Sequence, residues 1–183
     1  MRKTIVRFFT IADYEEEEVW LREQHRRGWK MVKMIPPCLY FFESCEPEDV
    51  IYRLDYKNWE SPKEYMQMLS DFGWEYFAQC MGWLYFRKPA AAADSEEEGE
   101  LFSDNASRIE RVRYIVRTRL LPLCVAFFGC VVPNFFRAVS ATPGQGLGVF
   151  LSILFGALFV VYVFLIVYCG MKLKRLKDRY LNG

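Results

Sequence analysis

The chain has little of what catalytic and metal sites are usually built from. Its 183 residues include a single histidine, His25, and six cysteines, no two of which form a C-x-x-C pair. A zinc site needs several closely spaced Cys and His ligands and is therefore not expected. No motif places a Ser or Cys beside a base, so we expect neither a cofactor nor an enzymatic activity.

The start of the chain lacks the order of charged, apolar and small residues that marks a secretory signal. This absence predicts that the chain from Met1 onward lies in the cytosol and that its thiols are reduced.

Charge is divided unevenly along the chain. Residues 1–106 carry 13 Lys and Arg against 21 Asp and Glu, whereas residues 107–183 carry 11 against 2. Binding to nucleic acid needs a basic face that neutralises phosphates, so the acidic front part argues against that role. The two parts are physically different and predict different environments.

Two long apolar runs lie in the basic part and predict membrane spans. The first, "LLPLCVAFFGCVVPNFF", contains Pro122 and Pro133, and the second reads "VFLSILFGALFVVYVFLIVYCGM". About 20 helical residues cross a hydrocarbon core of roughly 30 Å. With their flanks, these runs predict transmembrane helices at about 118–139 and 149–171, forming a hairpin in the lipid bilayer.

The charges that flank the runs predict an orientation. Five arginines (Arg108, Arg111, Arg113, Arg117, Arg119) precede the first run, and five cations (Lys172, Lys174, Arg175, Lys177, Arg179) follow the second, while the connection "AVSATPGQGLG" is uncharged. The positive-inside rule then predicts a multi-pass protein of the cell membrane with both termini in the cytoplasm. Attraction to anionic headgroups is an alternative role for these cations.

Composition predicts three segments. Residues 1–89 form a cytoplasmic domain, and residues 90–106, rich in Ala and Glu, form an acidic flexible linker. Residues 107–183 begin with a basic helix, expected at the membrane surface, and continue into the two spans and a basic tail.

The front segment contains the same pattern twice. Each copy reads as a strand, a helix, a Gly-Trp pair, a strand, a turn and a strand, at an offset of 45 that pairs Trp29 with Trp74 and Tyr40 with Tyr85. The pattern predicts an α+β fold in which a duplicated β-α-β-β unit forms an antiparallel-rich sheet with two helices on one face, followed by the transmembrane hairpin.

Local signals place the ends of both helices. Asp13 with Glu16, and Ser61 with Glu64, are spaced as capping boxes, and Pro62 suits the first turn of the second helix. Gly28 and Gly73 end the helices.

Several polar residues could carry chemistry but have simpler explanations. The run Glu15–Glu18 could supply paired carboxylates or a metal site, although acidic groups in a first helical turn are also favoured by the helix dipole. His25 lies near a helix end and is expected to be structural or exposed. Arg53 and Asp55 are two apart in a strand, which predicts a surface ion pair.

The aromatic residues of the repeat are the candidate binding residues. Alternation in the strands sends large apolar groups to both faces of the predicted sheet, so one face is left to meet a ligand, a partner or another copy. The residues predicted to bind are Trp29, Tyr40, Trp74, Trp83 and Tyr85.

The stretches "YRLDY", "SPKEYMQMLSDFGWEY" and "GWLYFRKP" carry a family resemblance. In order and spacing, residues 3–89 resemble the bacterial domain of unknown function 2812 family. The resemblance implies membrane spans after the domain and a place beside PadR-type transcriptional regulators, but no activity and no catalytic residues.

These observations predict a cytoplasmic sensor or protein-interaction domain held at the membrane, in a bacterial regulatory module. Its partner would be a PadR-type regulator, which it binds or sequesters, or another copy of the chain. An accessory subunit of a membrane transporter or channel is the alternative, for which Ser152 and Gly156 offer a weak helix-packing face.

Overall fold

A computed structural model describes residues 1–57, 63–93, 99–101, 105–140 and 146–182. The chain divides into two compact units, Met1–Ser107 and Arg108–Gly183. The predicted cap at Ser61 and Pro62 and most of the connection after residue 140 lie outside the described residues.

The front unit repeats the order strand, helix, strand, strand. Its elements are β1 (Arg2–Val6), α1 (Tyr14–Arg26), β2 (Trp29–Ile35), β3 (Leu39–Ser44), β4 (Val50–Tyr56), α2 (Lys63–Asp71), β5 (Glu75–Cys80) and β6 (Trp83–Pro89). The predicted α+β class and the duplicated β-α-β-β unit are confirmed.

The strands form two antiparallel sheets rather than one. Sheet A has the order β1-β3-β2, and sheet B has the order β4-β6-β5. The edge strands β2 and β5 each contain a bulge, between Met31 and Lys33 and between Tyr76 and Ala78. A bulge bends its strand and increases its twist.

The strand register corrects the alignment of the two copies. Met31 pairs with Phe42, and Tyr76, 45 residues later, pairs with Phe86, which is only 44 residues after Phe42. The difference arises because three residues join β2 to β3 whereas two join β5 to β6. Tyr40 therefore corresponds to Leu84, and the expected pairing of Tyr40 with Tyr85 is wrong.

Sheet A is covered on one face. Tyr40, Phe42 and Met31 are fully buried, and the Trp20 ring of α1 lies 5.0 Å from Tyr40 and 5.7 Å from Phe42. We call this the inner face. The opposite, outer face carries the alternate residues of the three strands, namely Arg2, Thr4, Val6, Lys30, Lys33, Ile35, Leu39, Phe41 and Glu43.

Sheet B is covered on both faces. On one side α2 packs against Leu84 and Phe86, in a core with Ile51, Leu69 and Trp74. On the other side α1 meets Tyr85 and Trp83, which correspond to Phe41 and Leu39 of sheet A. Helix α1 therefore covers one face of each sheet, and the expectation that both helices share one face of a single sheet is replaced by this arrangement.

The folded unit continues past residue 89. Ala90–Ala92 form a short 3-10 turn, and Ala90, Ala93 and Leu101 pack on the core of sheet B. Glu100 accepts a hydrogen bond from Arg53 at 2.7 Å. The described ends of the predicted linker are therefore attached to the domain.

Helix ends follow the sequence signals in part. Gly28 and Gly73 end α1 and α2 with φ of +81° and +80°, as predicted. Asp13 does occupy the N-cap of α1, but its side chain does not cap the helix. Its carboxylate accepts instead from the Thr10 backbone N–H and hydroxyl, at 2.7 and 2.6 Å, so the predicted capping box is not formed.

Replacing either helix-ending glycine by alanine is expected to destabilise the front unit, because a Cβ at positive φ is strained. Gly73→Ala should cost about 1–2 kcal/mol, since the added Cβ would meet only the flexible Lys88 side chain at 3.6 Å. Gly28→Ala should cost more, because its Cβ would lie 3.1 Å from the Cys45 carbonyl oxygen. Urea unfolding followed by tryptophan fluorescence measures both, and equal costs would contradict the steric argument.

The back unit consists of two long helical stretches. The first runs through α3 (Asn105–Ile115), α4 (Leu121–Ala126) and α5 (Val132–Ser140), with π-helical turns at Val116–Leu120 and Phe127–Val131, and the second is α6 (Gly146–Asn182). Two helices, Asn105–Arg137 and Val149–Leu181, are long and apolar enough to cross a membrane, which is consistent with membrane association. The basic helix continues into the first apolar stretch, and its position at the membrane surface stays a prediction.

Each π-helical turn ends two residues before a proline in the helix, Pro122 or Pro133. Proline has no backbone N–H, so the carbonyl four residues earlier loses its helical donor, and a wider turn accommodates the ring. Polar side chains bind carbonyls nearby: the Thr118 hydroxyl donates to the Tyr114 carbonyl and the Asn134 amide to the Cys130 carbonyl, both at 2.7 Å.

The two stretches pack as an antiparallel pair. The Phe159 ring of α6 lies 4.8 Å from Phe135 and 5.2 Å from Phe127. A Cβ on Gly156 would lie 3.9 Å from the Phe135 ring, and one on Gly170 would lie 4.0 Å from Leu120. Gly156 therefore packs inside the hairpin, whereas its spacing from Ser152 predicts a face for a partner helix.

Candidate functional site

Helix α1 joins the two sheets through the carboxylate of Glu17. The hydroxyls of Tyr40 in sheet A and Tyr85 in sheet B both donate to its Oε1, each at 2.8 Å. Burial raises the pKa of Glu17 to about 7, although the two tyrosine hydrogen bonds oppose the rise. Burial also raises the pKa of both tyrosines, as does the neighbouring Glu17 charge. Glu17 therefore titrates near neutral pH in the middle of the domain.

The next residue, Glu18, binds the free edge of sheet B. β4 pairs only with β6, so alternate backbone N–H groups of β4 point away from the sheet. The Glu18 carboxylate accepts from the Leu54 N–H at 2.8 Å and from Arg53 at 3.3 Å. An edge bound in this way offers fewer free donors to another strand.

The end of α1 is tied to the start of β4 by a three-residue ion-pair network. Arg22 donates two hydrogen bonds to Asp49, at 2.6 and 2.7 Å, and Arg26 donates two more, at 3.0 and 2.7 Å. These bonds hold the pKa of Asp49 well below its usual range. Bidentate arginine–carboxylate pairs fix orientation, so they set the angle between α1 and sheet B.

His25 is buried and forms a hydrogen bond with Tyr52 of β4, Nδ1 to hydroxyl, at 2.8 Å. Burial raises the pKa of Tyr52 to about 12, and opposing contributions come from Arg87 and from the Met31 backbone N–H, which donate to its hydroxyl. Because the Tyr52 oxygen accepts these bonds, its proton points to Nδ1 of a neutral His25. Burial and the Arg87 cation lower the pKa of His25 accordingly.

The structure corrects two expectations about these polar residues. Glu17 and Glu18 are buried and bind residues of both sheets, which goes beyond the expected interaction with the helix dipole. The surface ion pair of Arg53 with Asp55 is not formed, because Arg53 binds Glu18 and Glu100 instead. Buried Asp55 accepts from the Tyr65 hydroxyl at 2.6 Å and pairs with Lys57 at 3.2 Å.

Four of the five predicted binding residues lie in the interior, namely Tyr40, Trp74, Trp83 and Tyr85. Tyr40 and Tyr85 meet at Glu17, Trp83 lies 5.3 Å from the Tyr14 ring, and Trp74 is in the core under α2. Trp29 is half-buried, with the Lys3 ammonium 5.3 Å from its ring centre. Their positions give them packing roles, and a role in binding stays a prediction.

The outer face of sheet A presents apolar side chains to solvent, although the corresponding face of the repeated sheet is covered. Val6 is 70% exposed and Ile35 39% exposed, and Leu39 and Phe41 between them are half-buried. Lys30 and Lys33 lie on the same side of β2. In sheet B the corresponding face is covered by α1. Sequence alternation indicated two apolar faces, but it could not tell which one a helix covers.

The polar and the apolar side chains of the described residues differ in their surroundings. Among them, no group of three or more His, Cys, Asp and Glu side chains is placed to hold a metal ion. The polar groups along α1 are engaged with residues of the domain itself, whereas the outer face of sheet A presents apolar side chains to solvent.

Comparison with known proteins gives one match. A family model described as "Protein of unknown function (DUF2812)" matches residues 13–124. This match ends later than the resemblance over residues 3–89, because it includes the acidic segment and enters the first apolar run. No curated protein and no solved structure matches.

Proposed function

Because the chain belongs to the DUF2812 family, we propose that it is a non-enzymatic, membrane-anchored interaction domain whose docking surface is the outer face of sheet A. In this proposal the hairpin crosses the cell membrane with both termini in the cytoplasm, and the docked partner is a PadR-type transcriptional regulator encoded beside it. Binding at the membrane would keep the regulator away from DNA, since a switch needs only a difference in affinity between two states.

The observation that supports this role is the unequal coverage of two related sheets. The face of sheet B that carries Trp83 and Tyr85 is covered by α1, while the corresponding face of sheet A leaves Val6 and Ile35 exposed. Exposed, contiguous apolar surface is a common sign of a protein-binding site. The face is a sheet surface rather than a cleft, and small ligands generally bind in concave pockets, so a protein is the better fit.

The charge at the margin of the face adds to its specificity. Arg2, Lys30 and Lys33 outnumber Glu43 on this face, so its margin carries a net positive charge. A partner surface with an apolar centre and an acidic margin would complement it, and rim charges mainly affect the association rate and the choice of partner.

The proposal is tested by co-purifying the full chain with the neighbouring PadR-type regulator. The double variant Val6→Glu/Ile35→Glu should lower its recovery at least tenfold, because two carboxylates would be buried without partners in the interface. Both side chains are exposed, so the fold should survive, which unchanged tryptophan fluorescence checks.

Phe72→Glu is the matched control, because Phe72 is 67% exposed but lies at the end of α2, away from sheet A. It should leave recovery unchanged. The proposal fails if the regulator is not recovered with the native chain, if the double variant still binds it, or if the control loses it equally.

The alternative role, an accessory subunit of a transporter or channel, is favoured by one observation in the back unit. None of the most apolar window of α6 is buried, and Phe150, Ile153, Val160 and Phe164 are exposed. Such a surface suits lipid or partner helices. Exchanging both spans for an unrelated hairpin separates the two roles: a docking domain keeps its regulator, whereas an accessory subunit loses its membrane complex.

A further inference from the structure

Ten of the eleven basic residues of the back unit gather at one end of the hairpin, and the exception is Arg137. The two helical stretches are antiparallel, with Leu120 next to Gly170 and the Arg108 guanidinium 5.8 Å from the Tyr180 ring. The five arginines before the first apolar run and the five cations after the second therefore lie beside each other. We call this the basic end, formed by Arg108, Arg111, Arg113, Arg117, Arg119, Lys172, Lys174, Arg175, Lys177 and Arg179.

The basic end is a packed structure and not a pair of loose tails. Val112 and Ile115 of α3 are buried, as are Leu173, Leu176 and Tyr180 of α6. Both helices continue beyond the apolar runs, and the cations alternate along them with these buried residues.

Like charges are close together on these helices. Arg113 and Arg117 are four residues apart, so they share one helix face. Residues 107–183 contain only two acidic residues, Glu110 and Asp178. Repulsion between such neighbours disfavours the helix unless an anion lies between them.

The chemistry of the cations favours phosphate as that anion. All five cations that precede the first run are arginines, and the planar guanidinium binds phosphate oxygens with two parallel hydrogen bonds. A signal for orientation alone needs positive charge only, and lysine serves it equally well.

The position of the cations favours a phosphate carried by a lipid. Arg117, Arg119 and Lys172 directly adjoin the apolar runs, where headgroups begin when the hairpin spans a bilayer. The Lys172 ammonium lies 6.0 Å from the Tyr168 ring, and tyrosine is enriched at the membrane interface. We propose that the basic end is a binding site for the phosphate headgroups of anionic phospholipids.

The proposal rests on the membrane anchoring of the proposed function, and one experiment separates the two. The full chain is reconstituted into nanodiscs of phosphatidylcholine with or without phosphatidylglycerol, and the lipids retained by the protein are measured by native mass spectrometry. Incorporation into phosphatidylcholine discs tests the anchor alone. Bound phosphatidylglycerol, enriched several-fold over its share of the bilayer, is the expected result for the basic end.

Two triple variants test which residues hold the lipid. Arg113→Gln/Arg117→Gln/Arg175→Gln should remove most of the enrichment and bring phosphatidylglycerol close to its share of the bilayer, because each basic residue near an anionic surface contributes about 1 kcal/mol. Arg→Lys at the same positions keeps the charge and the orientation signal, and it should retain most of the enrichment but lose part of it with the bidentate contacts.

Three results would overturn the proposal while leaving the anchor intact. They are phosphatidylglycerol retained only in its bulk proportion, enrichment unchanged by the glutamine triple variant, and binding of soluble polyphosphate in phosphatidylcholine discs without any preference for phosphatidylglycerol.

Discussion

Phe42→Ala and Phe86→Ala should each lower the free energy of unfolding of the front unit by about 3–5 kcal/mol, the usual cost of removing a buried phenylalanine side chain. Phe42 is 1% exposed beneath α1, and Phe86 is fully buried beneath α2. The two rings occupy corresponding positions in the two sheets. Phe42 pairs with Met31 on the neighbouring strand and Phe86 pairs with Tyr76, and Met31 and Tyr76 are 45 residues apart.

Phe41→Ala is the matched comparison, and its cost should be only about 1 kcal/mol, because Phe41 is half-buried on the outer face and less apolar area is lost. An alignment with a constant offset of 45 would make Phe41 the counterpart of Phe86 and predict equal costs. If Phe41→Ala and Phe86→Ala lowered the free energy of unfolding equally, and Phe42→Ala lowered it only slightly, the shifted register would be refuted.

Tryptophan fluorescence during urea unfolding is a suitable measurement in the intact chain. All five tryptophans lie between residues 20 and 83, so the signal reports the front unit without contribution from the hairpin. The variants can be compared in the same detergent, with the back unit unchanged.

The second large effect is on pH dependence, and it comes from Glu17. Its pKa is raised from 4.5 to about 7 in the folded chain, so folding favours the protonated form. The contribution of Glu17 to the free energy of unfolding is present in full below pH 4.5 and is lost as pH rises through 7. The loss amounts to about 3 kcal/mol, because each pKa unit corresponds to about 1.4 kcal/mol.

Glu17→Gln should remove this loss, because the neutral amide oxygen can still accept from Tyr40 and Tyr85 while carrying no charge into the interior. Above pH 8 the variant should be more stable than the native chain, by up to about 3 kcal/mol, and near pH 5 the two should be similar. Urea unfolding at a series of pH values measures the difference.

Glu16→Gln is the control, since Glu16 is exposed on the same helix and should leave the pH profile unchanged. His25 acts in the opposite direction: its pKa is lowered, so its contribution is lost as pH falls below about 6.5. Because the two groups oppose each other, the decisive quantity is the difference between the two chains, and a Glu17→Gln profile equal to the native one between pH 5 and 8 would contradict the assignment.

The sequence predicts the positions of the helices and strands well, but it predicts poorly which face of each strand is buried. Gly28 and Gly73, the Gly-Trp pairs and the alternating strands place the helices and strands close to their observed ends, because these signals are local. The face of a strand depends on a single residue in a neighbouring turn, and the choice of sheet for α1 depends on Glu17 and Glu18 binding residues far along the chain. Those contacts have no local signature, which is why the burial of Tyr85 and the exposure of the outer face were not predictable.

The unequal turns suggest how a duplicated unit can diverge. Relative to a constant offset of 45, the shorter turn shifts β6 by one residue, so residues that align in sequence with one face of β3 lie on the opposite face of β6. A gene duplication followed by gain or loss of one codon in a hairpin is therefore enough to exchange the two sides of a strand. Such a step changes the surfaces that the two copies present, and different partners can then be selected on them.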